Sequence, residues 1–306
     1  MKAYKPFCKE EIYKKFSDGL EFVPDIGRGA SLGEIFTPKV VVEKMLKFLN
    51  IDKVKSNATI LEPASGHGNF AVEIINYKFK KVISEMKKEN LILKNANFIK
   101  EYEIRTLLAL GSMYLNDIDY QNIERIKERC YKFILSLYKK YTKTKSIPEH
   151  YANAVNIILL LNTLHGDFIS KNTDFNFVLY FRKNDNIIRL VKKFSSILNP
   201  VKQETLFSDE YIEQPIYDII PYNHWVFTIN GYNTLNNNFE AMEAFKNQNK
   251  YDKVAKEIIE KFHFDKGFKF DYCISNPPYQ KIVGEGPNAD QAIPLYDKFF
   301  NLSLSL

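Results

Sequence analysis

The sequence predicts an α/β fold built around a parallel β-sheet, and two observations point to it. Short apolar runs alternate with longer segments of helical periodicity, which is the pattern of repeated strand–helix units. Several of these runs end in acidic residues, glycines or prolines, at the sheet edge where open α/β sheets bind ligands. With 306 residues, 45% of them hydrophobic, the chain can build a sizeable core in one large domain or two modest ones.

The first half of the chain alternates helices with two strands. A helix is predicted over 36–50, with Thr37 as its N-cap and Pro38 at its first helical position. A buried strand is predicted over 58–64, followed by helices over 69–90 and 96–110. The next strand covers 113–119, and a charged helix runs from 120 to about 141.

The second half keeps this rhythm only in part. An apolar helix over 154–162 leads to a short strand over 163–168, and a fourth strand covers 270–276. The Asn-rich region between them is interpreted as an inserted lobe of helices and short strands, and helices are expected on both faces of the sheet. The predicted division is an N-terminal extension (1–30), a core (31–169), the insertion (170–265) and a final core segment (266–306).

Composition excludes some classes of protein. No run of 18 apolar residues indicates a membrane span, and the charged N-terminus has no apolar signal core, so a cytoplasmic protein is expected. Cys8, Cys130 and Cys273 lie far apart, which argues against a disulfide framework and a metal cluster. The net charge of +6 is compatible with a polyanionic partner, although a bias toward Lys, Asn, Ile and Tyr would also produce it.

The fourth strand ends in DYCISNPPYQ (271–280). Pro277 and Pro278 cannot donate hydrogen bonds to a sheet, so the strand must stop there. One interpretation of Asn276-Pro277-Pro278-Tyr279 is a turn with a core tyrosine. The other is a functional loop at the carboxyl end of a strand.

The first strand ends in LEPASGHGNF (61–70). Glu62 could accept a hydrogen bond from a ligand ammonium, and Gly66 and Gly68 could let a ligand approach the backbone closely. The full dinucleotide-binding fingerprint is absent. His67, between the two glycines, is predicted to face solvent and to take no part in chemistry.

Two further strands end in acidic residues. Asp117 could accept both hydroxyls of a ribose, while Asp119 is better placed to cap the following helix. Asp167 could accept from an exocyclic amine and Phe168 could lie against a purine; the alternative is a turn aspartate with a core phenylalanine. Together with the glycine loop and the NPPY loop, these residues fall in chain order at four successive strand ends.

In this order of motifs the chain resembles the S-adenosylmethionine-dependent DNA adenine-N6 methyltransferases of restriction–modification systems. GEIFTP (33–38) looks like their N-terminal cofactor motif, and LEPASGHGNF like their glycine-rich motif. NDID looks like the ribose-binding motif, GDF like the adenine-ring motif and SNPPY like the catalytic motif. The resemblance covers about 30–300 without the insertion, and implies a Rossmann-like methyltransferase sheet.

The resemblance implies S-adenosylmethionine as cofactor, no metal, and double-stranded DNA with a flipped-out adenine as partner. The implied cofactor-binding residues are Phe36, Thr37, Pro38, Glu62, Pro63, Gly66, Gly68, Phe70, Asp117, Asp167 and Phe168. Thr37 and Glu62 would hold the methionine part of the cofactor. The implied catalytic residues are Asn276, Pro277, Pro278 and Tyr279.

The chain departs from this family after the catalytic motif. The family continues with three more strands and a domain that reads the DNA sequence, whereas this sequence runs only from Tyr279 to Leu306. A truncated or split gene product is therefore expected, with a bare sheet edge and with room for a second chain that supplies target recognition. The competing interpretations are an N5-glutamine methyltransferase acting on protein, which also uses NPPY, and a fragment that binds without turnover.

Overall fold

The computed structural model describes residues 37–91, 93, 97–170, 175–198, 217–225, 257, 268–278, 280–283 and 291–306. The helices are α1 (Lys39–Phe48), α2 (Asn69–Lys88), α3 (Asn97–Gly111), α4 (Tyr120–Thr142), α5 (Glu149–Asn162), α6 (Phe194–Leu198) and α7 (Tyr296–Ser305), with a 3₁₀ turn over Ile51–Lys53. The strands are β1 (Ile60–Glu62), β2 (Met113–Asp117), β3 (Thr163–His165), β4 (Asn176–Lys183), β5 (Asn186–Lys193), β6 (Tyr217–Pro221), β7 (Tyr272–Cys273), β8 (Gln280–Val283) and β9 (Gln291–Pro294).

A four-stranded parallel sheet organises the core. Its strand order is β3-β2-β1-β7, and Ile60 on β1 lies between Met113 on β2 and Tyr272 on β7. The parallel α/β fold predicted from the sequence is therefore confirmed. Because β2 lies on one side of β1 and β7 on the other, the order of the strands reverses at β1.

Helix α4 begins where the sequence predicts it. The Asp119 side chain accepts a hydrogen bond from the main-chain N–H of Gln121 at 2.8 Å, so the predicted N-cap is confirmed. The prediction for α1 was wrong by one residue: Pro38 is the N-cap, Lys39 is the first helical residue, and no side chain caps the helix. The Thr37 hydroxyl, predicted to cap the helix, instead accepts a hydrogen bond from the Asn276 side chain.

The two faces of the parallel sheet are covered differently. Ile60 belongs to a hydrophobic core formed largely by α1 to α5, whereas its neighbour Leu61 points into a second core. That second core is formed by β4, β5, α6 and α7, with Phe299 as the buried residue of α7. Alternate residues of the short buried strands thus join two apolar layers.

A three-stranded antiparallel sheet, in the order β4-β5-β6, follows β3 along the chain. The inserted lobe was predicted to hold short strands, but β4 and β5 are eight residues each. This sheet packs closely on the core: a Cβ at Gly111 would lie 2.5 Å from the Tyr180 ring. The Asn162 side chain also bonds both the N–H and the carbonyl of Val178. The domain boundaries at 30, 169 and 265 remain predictions.

Helix α7 lies beside β7, the strand that was expected to form a bare edge. Within the described residues β7 pairs only with β1. The N–H of Phe270 donates to the carbonyl of Leu306 at 3.2 Å, and Cys273 contacts Ser303 on α7, also at 3.2 Å. None of the helices in the described ranges is long and apolar enough to cross a membrane.

Candidate active site at the carboxyl ends of β1, β2 and β7

The loops that follow β1, β2 and β7 meet at one edge of the parallel sheet. The N–H of Ile274 donates to the carbonyl of Leu61 at 2.9 Å, and the N–H of Ser65 donates to that of Asn116 at 2.8 Å. These bonds carry the pairing of β1 beyond its end on both sides. Because the strand order reverses at β1, the crevice where open α/β sheets bind ligands lies between β1 and β7.

The glycine loop after β1 needs glycine at two positions. Gly66 and Gly68 have φ angles of 52° and 75°, in the left-handed region that side chains disfavour. A Cβ at Gly68 would also lie 3.1 Å from Cγ1 of Ile126 on α4. Gly68 is therefore required by the backbone turn and by the packing of α4. Close approach of a ligand at these glycines remains a prediction.

His67 is buried, so the expectation that it faces solvent was wrong. Its Nε2 lies 2.8 Å from Nη1 of Arg125, which can only donate, so Nε2 is the accepting nitrogen. The His67 carbonyl accepts from Arg129, whose Nη1 also donates to Oδ1 of Asn69 at 2.9 Å. Two arginines of α4 thus hold the glycine loop.

Glu62 is a fully buried carboxylate at the end of β1. Neither of its oxygens has a hydrogen-bond partner within the described residues. Burial raises the pKa of the Glu62 carboxyl well above its ordinary value, and Asp117 raises it further; Ser65 and Arg129 offset part of the rise. A buried carboxylate without a partner is costly unless a cation or donor satisfies it. It therefore fits the ammonium group of an amino-acid ligand.

Asp117, at the end of β2, is already hydrogen-bonded to its own chain. Its Oδ2 accepts from the N–H of Gly66 at 2.7 Å, and its Oδ1 accepts from the N–H of Asp119 at 2.8 Å and from Asn122 at 3.2 Å. Asp117 therefore helps to shape the glycine loop. Its predicted contact with a ribose would have to share the carboxylate with these bonds or displace one of them.

Asp167 and Phe168 follow β3, which lies one strand further from the crevice than β2. Oδ1 of Asp167 accepts from the N–H of Ile169 at 3.1 Å, which makes a local turn. Phe168 is 2% exposed, and its ring stacks on that of Phe299 at 6.2 Å between centroids. The structure thus favours the core role for Phe168 that the sequence left open, and its contact with a purine remains a prediction.

The NPPY loop touches the N-terminal motif. Nδ2 of Asn276 donates to the Thr37 hydroxyl at 2.9 Å, across 239 positions of sequence. Pro277 and Pro278 are half-buried, while Pro38 is exposed. Phe36 and Tyr279 lie outside the described residues.

The remaining predicted residues of the β1 loop belong to the protein interior. Pro63 is buried, and Phe70 is 3% exposed in the core formed with the helices. Phe70 can therefore support the glycine loop from the core side. A direct contact of either residue with a cofactor remains a prediction.

Sequence reasoning missed three residues at this site: Asn69, Arg125 and Arg129. The spacing of the two arginines puts both on one face of α4, but nothing local in the sequence indicates that this face meets the glycine loop. No group of three or more His, Cys, Asp or Glu side chains arranged to hold a metal ion occurs in the part of the chain that the structure describes.

The model of the N-6 DNA methylase family matches residues 25–205. The chain belongs to the N-6 DNA methylase family. The match contains the glycine loop, Asp117 and Asp167, and it extends into the antiparallel sheet through β5; the NPPY loop lies outside it. Members of the N-6 DNA methylase family use S-adenosylmethionine as methyl donor. No curated protein and no solved structure matches the chain.

Proposed function

We propose that this chain transfers a methyl group from S-adenosylmethionine to the N6 amino group of adenine in DNA, within a restriction–modification system. The observation that carries the proposal is the hydrogen bond between Asn276 and Thr37. It joins the NPPY loop to the N-terminal motif beside the crevice between β1 and β7. A cofactor in that crevice and a base held by the NPPY loop would therefore be neighbours.

The cofactor would be held by residues of three strand ends. Glu62 would accept from its ammonium group, Gly66 and Gly68 would leave room for it, and Asp117 would take its ribose. Asp167 and Phe168 would take the adenine ring, which requires the Phe168 ring to contact the purine while it packs against Phe299. When bound, S-adenosylmethionine supplies a methyl group on a sulfonium, which is reactive toward a nitrogen nucleophile.

Asn276 and Pro277 would activate the target amine. The lone pair of an exocyclic amine is delocalised into the purine ring, so the nitrogen is a weak nucleophile. Oδ1 of Asn276 and the Pro277 carbonyl can accept its two hydrogens and draw the nitrogen out of conjugation. Since Pro277 and Pro278 carry no N–H, they offer no competing donor and keep the loop stiff.

A target adenine must leave the duplex to reach this loop. Base flipping costs a few kcal/mol, and stacking on an aromatic side chain returns about 1–3 kcal/mol. Tyr279 is the residue proposed for that stacking. The net positive charge of +6 favours approach to a polyanion such as DNA.

The experiment is methyl transfer from labelled S-adenosylmethionine to two acceptors, a mixed-sequence DNA duplex and a glutamine-containing protein such as a release factor. We expect label in DNA only, and we expect Asn276→Ala to lose transfer by orders of magnitude while it still binds the cofactor in calorimetry. Label in the protein acceptor alone would establish glutamine methylation instead. Cofactor binding without transfer to either acceptor would indicate a fragment that binds without turnover.

A further inference from the structure

Four residues form a line of hydrogen bonds from α4 to the NPPY loop, through both the main-chain carbonyl and the hydroxyl of Thr37. Arg129 donates to Oδ1 of Asn69 at 2.9 Å, and Nδ2 of Asn69 donates to the Thr37 carbonyl at 2.8 Å. The Thr37 hydroxyl then accepts from Nδ2 of Asn276 at 2.9 Å. We propose that this relay of Arg129, Asn69 and Thr37 holds the Thr37 hydroxyl in place as the anchor of the Asn276 amide, which makes Asn69 and Arg129 positioning residues for methyl transfer. The inference rests on the proposed function.

The chemistry of the donors fixes the direction of the first two bonds. An arginine guanidinium can only donate, so the oxygen of the Asn69 amide must face Arg129. The NH₂ group of Asn69 must therefore face the other way, where it meets the Thr37 carbonyl. Asn69 is the first residue of α2, so the glycine loop and the backbone of Thr37 are held together.

The last bond anchors the Asn276 amide to Thr37. Its NH₂ group is turned toward the Thr37 hydroxyl, so its Oδ1 is turned away from Thr37. An acceptor is the group that adenine activation needs, whereas an inverted amide would present a donor to the amine and repel it. A fixed amide avoids this error, and misplacement of about 1 Å in such a group can cost a factor of ~100 in rate.

Arg129 also affects Glu62, which separates its role from that of Asn69. The charge of Arg129 lowers the pKa of the Glu62 carboxyl and so favours its ionised form. Loss of Arg129 should therefore weaken cofactor binding as well as transfer. Loss of the Asn69 side chain should affect transfer more than cofactor binding, because Asn69 is uncharged and contacts Arg129 and the Thr37 backbone rather than Glu62.

The decisive variant is Asn69→Ala, with Asn76→Ala as its matched control on the same helix. Within the residues that the structure describes, the Asn76 side chain makes only a long contact, 3.5 Å, with its helix neighbour Glu73. With labelled S-adenosylmethionine and a DNA duplex, Asn69→Ala should lower kcat by roughly tenfold to a hundredfold. The Kd of S-adenosylmethionine in calorimetry should stay near the parental value, and Asn76→Ala should behave as the parent.

A second readout needs neither cofactor nor activity. The side-chain NH₂ signals of Asn276, identified by their loss in Asn276→Ala, report its hydrogen bond in nuclear magnetic resonance spectra. In Thr37→Val, which keeps the shape of threonine without the hydroxyl, these protons should exchange with solvent roughly threefold to tenfold faster. Thr37→Ser should match the parent, and Asn69→Ala should show a smaller acceleration.

These measurements separate the relay from the proposed function. Parental kcat and parental amide exchange in folded Asn69→Ala would overturn the relay, and so would a raised Kd with unchanged kcat. If Asn69→Ala does not fold, amide exchange in Thr37→Val decides, and parental exchange of the Asn276 NH₂ protons there would overturn the relay. If the parent transfers no methyl group to DNA but the amide signals respond as expected, the proposed function fails and the relay stands.

Discussion

Replacing Glu62 by glutamine should weaken cofactor binding while it stabilises the folded chain. Glutamine keeps the shape of the side chain but removes a charge that is fully buried and lacks a hydrogen-bond partner within the described residues. The weaker binding and the greater stability both follow from the burial of this unpaired charge. The two effects together distinguish a ligand site from an ordinary core residue.

The size of the binding effect comes from the contact that is lost. A hydrogen bond to a charged group contributes about 1.5–3 kcal/mol, so Glu62→Gln should raise the Kd of S-adenosylmethionine roughly 10- to 150-fold. The effect on stability depends on pH. The folded-state pKa of Glu62 lies above its ordinary value of 4.5, so ionising the carboxylate costs more in the folded chain than in the unfolded one.

The sign of the pH dependence follows from that difference. Below pH 4.5 the carboxyl is protonated in both states, and the variant and the parent should unfold with similar free energies. As pH rises through the folded-state pKa, the parent loses stability and Glu62→Gln does not. The stability advantage of the variant should therefore grow from acidic to neutral pH.

Calorimetry of cofactor binding and urea unfolding at several pH values test this prediction. Glu73→Gln is the matched control, because that carboxylate is already paired with Lys39 at 3.0 Å. Glu73→Gln should leave the Kd of S-adenosylmethionine near the parental value. A Glu62→Gln variant that binds S-adenosylmethionine as the parent does, or is less stable at neutral pH, would refute the assigned role.

Three further predictions concern the glycine loop and the packing of the second sheet. Asp117→Ala should weaken S-adenosylmethionine binding by about 1–3 kcal/mol in calorimetry. It should also lower the unfolding temperature, because the N–H of Gly66 loses its acceptor. Unchanged affinity in a folded variant would contradict the ribose-binding role of Asp117. Gly68→Ala should cost about 2–4 kcal/mol of unfolding free energy in urea, from its positive φ and its contact with Ile126. In an Ile126→Ala background, which lacks the contacting Cγ atoms, Gly68→Ala should cost less than in the parent, and an equal cost would show that the contact is unimportant. Hydrogen bonds from Arg182, and then from Arg105, lower the pKa of Glu101 to about 2. The parent should therefore be more stable than Glu101→Gln above pH 4.5 and should lose that advantage as pH falls toward 2. A difference in unfolding free energy that does not change with pH would contradict this linkage.

The sequence predicted the parallel core well because its signals are local. Apolar runs, helical spacing and the cap at Asp119 each act over a few residues, and each has its counterpart in the structure. Helix α2, predicted over 69–90, spans Asn69–Lys88. The acidic and glycine residues at the strand ends were also recognisable, since carboxyl ends of parallel strands meet at one edge.

The contacts that complete the site could not be predicted in this way. The partners of Thr37 and His67 are 239 and 58 positions away, respectively, so only the folded chain brings them together. Phe168 likewise left two roles open, because a core ring and a ligand-facing ring look the same in sequence. Its burial against Phe299 is a tertiary property.

The antiparallel sheet did have a local signal that was missed. The strands β4 and β5 are joined by Asn184 and Asp185, and Asn184 has a φ of 52°. A two-residue turn of this kind between alternating apolar residues is typical of a β-hairpin. The Asn-rich character of the whole region concealed this pair of strands.

The most direct test of the account is the identity of the methylated atom. DNA incubated with S-adenosylmethionine and the purified chain would be digested to nucleosides and analysed by mass spectrometry, with Asn276→Ala as the control. The account predicts N6-methyldeoxyadenosine as the product, at a level that Asn276→Ala lowers by orders of magnitude. A methyl group on another base, or N6-methyldeoxyadenosine formed equally well by Asn276→Ala, would contradict it.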